Sequence, residues 1–211
     1  RTVMRSFLST RALIVLGTLA VLAVGALIYF VFQPKPAPPA PVVETPKPVG
    51  PERSVIGTSV QGRKIESYTY GNGAKRLAFV GGIHGGYEWN SVVLAYAFMD
   101  YLLAHPEIIP ASVSITVIPN ANPDGVYKIV GKEGRFSAAD VPASIDQSPG
   151  RFNAHGIVLN RNFDCKWQAT STWKSKTVSA GTAPFSEPEA AALRDFFLKT
   201  KPAAAIFWHS M

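Results

Sequence analysis

The feature that most constrains this chain is an apolar run, residues 77–80, that stops on Gly81-Gly82-Ile83-His84-Gly85-Gly86-Tyr87-Glu88. A short apolar run bounded by glycines reads as a buried strand. The histidine and carboxylate behind it are then carried on a loop at the strand's carboxyl end, where open α/β sheets gather their chemistry. A second apolar run, residues 203–208, closes on His209-Ser210 and reads as another strand with a histidine at its end. Either histidine alone is a loop residue like any other. Together with Glu88 they make the set that holds a catalytic zinc, two imidazoles and one carboxylate, with a fourth position left for water or substrate.

The rest of the chain divides by composition. Residues 12–32 contain no charge, and at ~1.5 Å per residue such a stretch spans roughly the ~30 Å of a bilayer's hydrocarbon core. Arg1, Arg5 and Arg11 precede it without an acid, so residues 1–11 are expected as a cytoplasmic tail and residues 12–32 as a single-pass anchor. A cleaved signal peptide is the rival reading, disfavoured by the length of the stretch and the absence of a small-residue cleavage pattern before Gln33. Residues 33–51 hold eight prolines in 19 positions, the composition of a semi-rigid polyproline II spacer. Residues 52–211 then form an extracytoplasmic domain large enough for its own core. The net charge of +7 is concentrated at the amino end: residues 1–50 contribute +4, five basic residues against Glu44, which leaves +3 for the remainder. No basic cluster with interleaved aromatics occurs, so a nucleic-acid surface is not indicated and no nucleic-acid partner is expected. The sole cysteine, Cys165, cannot form an internal disulfide. The chain opens on Arg1 and stops two residues past His209, so both ends are expected to be cut.

Within the domain, strands are expected over residues 64–70, 77–80, 113–118 and 203–208, with a helix over 89–104. Ser186-Glu187-Pro188-Glu189 reads as a capping box opening a second helix to about Lys199, and Asn122-Pro123-Asp124-Gly125 reads as a turn. Alternation of strands and helices predicts an α/β fold, a mixed, largely parallel sheet with helices on both faces, preceded by the transmembrane helix.

The Gly-Gly-Ile-His-Gly-Gly-Tyr-Glu loop, Asn122-Pro123-Asp124-Gly125, Leu159-Asn160-Arg161-Asn162-Phe163, Phe185-Ser186-Glu187-Pro188-Glu189 and His209-Ser210 occur in this order. The series resembles the zinc metallocarboxypeptidases of the carboxypeptidase A type, and the short loops resemble their bacterial branch, which includes peptidoglycan-cleaving peptidases. The resemblance covers residues 53–211. It implies zinc ligation by His84, Glu88 and His209, and a clamp for the substrate's terminal carboxylate at Asn160-Arg161, since a guanidinium presents a planar fork to a carboxylate. It also implies an arginine that stabilises the oxyanion formed when water attacks the peptide carbonyl. Arg151 and Arg135 lie in near-identical Gly-Arg-Phe settings; Arg151, just ahead of the Asn-Arg pair, is the choice.

Three departures from the family pattern stand out. The first ligand pair is spaced His-x-x-x-Glu rather than His-x-x-Glu, which a glycine loop can absorb as a small bulge. Val158 occupies the place of an Asp that commonly supports the first zinc histidine, so either a backbone carbonyl substitutes or zinc affinity is reduced. The family's general base, a Glu on a later strand, and a Tyr on a mobile loop both fall past Met211. Glu187 and Glu189 belong to a helix start and are not promoted to base, and His155 is taken as a loop residue. The expectation is a membrane-anchored zinc peptidase of carboxypeptidase type that cleaves peptide bonds near a free carboxylate, with cell-wall peptides as the natural target. An inactive zinc-peptidase-like module that binds cell wall, and a zinc-dependent deacylase of related fold, are the alternatives.

Overall fold

The computed structural model describes residues 50–210 together with Leu22 and Tyr29. The anchor expected at 12–32 and the spacer at 33–51 therefore lie outside the described residues, apart from Leu22, Tyr29, Gly50 and Pro51. No helix among the described residues is long and apolar enough to cross a membrane. The chain divides after Pro46, and all elements named below belong to the second unit.

Strands β1 (Glu52–Thr58), β2 (Lys64–Gly71), β3 (Lys75–Val80), β4 (Val113–Ile118) and β7 (Ala204–Phe207) form one sheet in the order β1-β2-β4-β3-β7. The sheet is mixed: β1 with β2 and β2 with β4 are antiparallel, whereas β3 runs parallel to both β4 and β7. Parallel neighbours need a crossover, usually helical. Helix α1 (Trp89–Ala104) supplies it between β3 and β4, and α3 (Pro188–Thr200) precedes β7.

The two helices cover opposite faces. Val92, Ala95, Tyr96, Met99 and Leu102, spaced along one side of α1, pack on Tyr70, Ile115 and Val117. Ala192 and Leu193 of α3 pack with Ile65, Val80, Ile118 and Leu159 on the other face. Alternate residues of β2, β3 and β4 thus enter different cores, as the period of two along a strand requires. Central β4 is buried from Ser114 to Ile118, and Thr116 on its polar side exchanges a 2.9 Å hydrogen bond with Thr69 of β2.

Three local expectations are corrected. Asn122-Pro123-Asp124-Gly125 begins a helix, α2 (Pro123–Val130): the Asn122 side chain accepts from Gly125 N at 2.9 Å, proline takes the first turn, and Gly131 closes the helix at φ 72°. The same residue types serve turns and helix starts, and the apolar Val126, Ile129 and Val130 decide between them. The capping box at 186–189 does not form. Glu187 is the residue flanking α3 and makes no side-chain cap; Ser186 Oγ donates to Glu187 at 2.9 Å, while Glu189 turns inward to accept from Val60 N at 3.1 Å. The third concerns what was not anticipated: β1, and a separate antiparallel hairpin of β5 (Thr170–Trp173) and β6 (Lys176–Ser179).

Candidate metal centre

Register explains why residues 125 positions apart in sequence meet. Val80 pairs with Phe207 across parallel β3 and β7, so the loops leaving the two strands emerge side by side, carrying His84 and His209. From Gly85 to Glu88 the chain makes a single 3₁₀ turn, with Tyr87 N donating to His84 O at 3.1 Å. A helical turn returns the residue three or four positions on to the side of the first. The His-x-x-x-Glu spacing is absorbed in that turn, and Glu88 comes back beside His84.

The turn can sit here only because it is built on glycine. Gly85 has φ +48°, and a side chain there would meet Gly150 O at 2.5 Å and the Cα of Gly125 at 2.9 Å. This close approach locks the ligand loop against α2 and against the segment carrying Arg151. Ser91, in the first turn of α1, fastens the other side: its hydroxyl accepts from Gly82 N at 3.0 Å and donates to Glu88 O at 2.7 Å.

His84, Glu88 and His209 each bring one donor atom to within 4.8 Å of the others. Glu88 is buried; its Oε2 lies 3.2 Å from His209 Nδ1 and accepts from Ser210 N at 3.3 Å. The rings of His84 and His209 are 5.2 Å apart. Burial, reinforced by the cations Arg151 and Arg161 and by His209, holds the pKa of His84 down at about 3. The imidazole is therefore neutral at physiological pH, the form that donates a lone pair to a metal. His84 Nδ1 is buried with no hydrogen-bond partner. Among the described residues no backbone carbonyl bonds the His84 ring in place of the absent Asp, and Val158 is itself buried. A neutral imidazole with an unsatisfied nitrogen, a buried carboxylate and a second imidazole fit zinc in donor type and number.

Around this group stand the other residues singled out in the sequence. Arg151 Nη2 lies 3.2 Å and Asn160 Nδ2 3.3 Å from His84 Nε2, and Arg151 Nη1 is 3.7 Å from Glu88. Arg151 is mostly buried, and desolvation lowers its pKa against the opposing pull of Glu88. Arg135 is elsewhere, paired with exposed Asp100 at 2.9 Å and lying over Tyr96. Arg161 is exposed and meets no acid among the described residues: Nε donates to Ser171 Oγ at 3.2 Å and Nη1 to Asn160 O at 2.9 Å. It lines a cavity of ≈ 610 Å³ together with Asn160, Phe207, Trp167 and His209. Glu187 and Glu189 face away from the donor group, bound to Asn153 at 2.7 and 3.1 Å, and His155 pairs with Glu187 at 2.8 Å.

Sequence reasoning missed the aromatic surroundings of Arg151. Trp173, at the end of β5, packs edge-on against Tyr87 and Phe152 at 5.2 and 5.7 Å. A readable signal existed, since Thr170-Ser171-Thr172-Trp173 and Lys176-Thr177-Val178-Ser179 are strand-forming runs separated by two residues.

A neutral imidazole, a carboxylate and a second imidazole at the carboxyl ends of adjacent parallel strands, flanked by arginines, make a candidate metal centre in an open α/β protein. The chain belongs to the zinc carboxypeptidase family, which matches it over residues 45–211. It is 27% identical over 176 residues to the gamma-D-glutamyl-L-diamino acid endopeptidase 1 of Lysinibacillus sphaericus, covering 74% of this chain and 44% of that protein. A Bacillus subtilis protein, YqgT, is 26% identical over 179 residues, 74% of this chain and 47% of its own length. The chain thus spans about half the length of the curated relatives it matches. Among solved structures, bovine thrombin-activatable fibrinolysis inhibitor superposes with a TM-score of 0.57 at 22% identity over 77% of this chain and 54% of that one. The murein-tripeptide amidase MpaA of Escherichia coli O157 gives 0.52 at 21% identity over 76% and 61%. At these identities the superpositions bear on the fold.

Proposed function

We propose that this protein is a membrane-anchored, extracytoplasmic zinc metallopeptidase that hydrolyses a peptide bond next to a residue bearing a free carboxylate, with peptidoglycan peptides as its substrates. The observation that carries the reading is the convergence of the His84, Glu88 and His209 donors with Arg151 and Asn160 beside His84 and Arg161, exposed, at the rim of the adjoining cavity. Zinc, when bound by these three residues, supplies Lewis acidity to the carbonyl and its attacking water. Arg151 stabilises the negative charge that develops on the carbonyl oxygen, from a largely dry position where a charge–charge contact is strong. Asn160 and Arg161 hold the substrate carboxylate and so fix which bond reaches the metal. The relative named for γ-D-glutamyl-L-diamino acid peptides supports a cell-wall substrate, and the uncharged stretch and proline-rich spacer support an extracytoplasmic location.

The test compares peptides with a free and an amidated carboxylate on the residue after the scissile bond, using the zinc-loaded full-length protein, extended past Met211. Amidation is expected to reduce kcat/KM strongly in the wild type and little in Arg161→Lys, because an ammonium cannot reproduce the bidentate fork. Arg151→Ala is expected to lower kcat by roughly 100-fold, as for a group that acts on transition-state charge. Equal cleavage of both peptides by the wild type overturns the carboxylate-directed reading.

A further inference from the structure

The β5–β6 hairpin touches both arginines of the site. Ser171 accepts from Arg161, and the Trp173 ring lies 5.0 Å from the Arg151 guanidinium carbon. At the tip, Lys174 (φ 48°) and Ser175 (φ 60°) both occupy the left-handed region. Tight hairpins favour Asn or Gly at such positions, and other residues held there are strained. The strained turn carries Lys174 Nζ over the rings of Trp173 and Tyr87, at 5.0 and 5.1 Å. Arg151 sits over the same two rings, at 5.0 and 5.2 Å. Two cations therefore share one aromatic pair. Lys174 makes no ion pair among the described residues; Asp146, whose pKa is lowered by its Ser148 hydrogen bonds and last by Lys174 and Lys176, is not a partner at ion-pair distance. Neighbouring like charges repel, and an anion placed between them gains from both.

We propose that Lys174, seated on Trp173 and Tyr87, forms a subsite for a second substrate carboxylate, on the amino side of the scissile bond. The inference rests on the peptidase reading above and narrows its substrate class to peptides acidic on both sides of the bond cleaved. Trp173 and Lys174 lie outside the cavity lined by Arg161, so the two carboxylates are held separately. Arg151 links the subsite to the metal donors, being 3.2 Å from His84 and 5.0 Å from Trp173. Because Arg151 borders both the aromatic pair and the metal donors, an acid held on Lys174 belongs to a residue near the reacting carbonyl. A γ-linked glutamyl residue suits it, because bonding through the side chain leaves the α-carboxylate free.

The experiment uses γ-D-glutamyl-L-lysine and its analogue amidated at the glutamyl α-carboxylate, with the zinc-loaded full-length protein, extended past Met211, as wild type, Lys174→Gln and Lys174→Arg. Equilibrium binding is followed by tryptophan fluorescence and calorimetry, and hydrolysis is measured in parallel. The wild type should bind the acid roughly five- to tenfold more tightly than the amide, the size of a partly desolvated ion pair. Lys174→Gln should abolish that preference and Lys174→Arg should keep most of it. The same acid-to-amide ratio in wild type and Lys174→Gln, or no binding of the acid, overturns the subsite. Cleavage of both peptides with an unchanged ratio leaves the peptidase reading standing without it. A Lys174-dependent binding preference without hydrolysis supports the subsite and removes the peptidase.

Discussion

His84 shows how much one side chain is asked to do. It is nearly sealed from solvent, kept neutral by burial and surrounding cations, and left with an unpartnered nitrogen. Burying an unsatisfied polar atom costs about 1–3 kcal/mol, a cost that metal ligation can offset only if the ring is a ligand. His84→Ala is therefore expected to lose zinc, with affinity falling at least ~100-fold because each of three protein bonds carries a large share of the binding energy. Atomic absorption after dialysis against a weak chelator measures it. Glu88→Ala should behave alike and also free Arg151, its neighbour at 3.7 Å. Unchanged zinc in Glu88→Ala alone would mean that the 3₁₀ turn presents the carboxylate to Arg151 and His209 rather than to the metal.

At the scale of elements, legibility followed the strength of local signals. Helix α1 and strand β4 were readable to the residue, because their apolar periods are long and uninterrupted. The ends of β3 and β7 were readable because a glycine pair and a histidine punctuate them. β1 was not, since its burial is slight from Glu52 to Val55 and its pairing with β2 is interrupted by a bulge between Val55 and Gly57. The α2 start was mistaken because a cap and a turn share their vocabulary. Least visible was the close packing that sets the site. A side chain on Gly125 would meet Gly150 O at 2.4 Å and Asn122 Nδ2 at 2.7 Å, a contact between two helical turns that no local pattern encodes. Gly125→Ala is expected to destabilise the fold by about 1–3 kcal/mol, as overpacking does. Because Gly150 adjoins Arg151, the backbone shift should also reduce kcat. Denaturant midpoints and steady-state kinetics at a temperature where the variant is folded separate the two effects. A variant as stable and active as wild type would show that the contact relaxes freely.

For the whole molecule the governing question is where the catalytic domain is held. The function proposed above reads the three arginines ahead of an uncharged stretch and the eight prolines behind it as an anchor and a stalk. In the proposed arrangement, a 19-residue spacer in the polyproline II form would reach roughly 60 Å at ~3.1 Å per residue. Such reach matters for a substrate fixed in a wall and not for one that diffuses. A reporter fused after Pro51 should be active outside the cytoplasm, and mass analysis should find residues 12–32 retained; a chain beginning near Gln33 would replace the anchor with a signal peptide. Deleting residues 34–41, including five of the eight prolines, should shorten the reach by about 25 Å. Hydrolysis of a soluble γ-glutamyl peptide by the purified variant is then expected to match wild type, since the deletion lies far along the chain from the metal donors. Release of peptides from intact cell wall by cells carrying the variant should fall severalfold. Equal loss on both substrates would place the spacer in the folding of the domain, and no loss on either would leave the stalk without a role in reach.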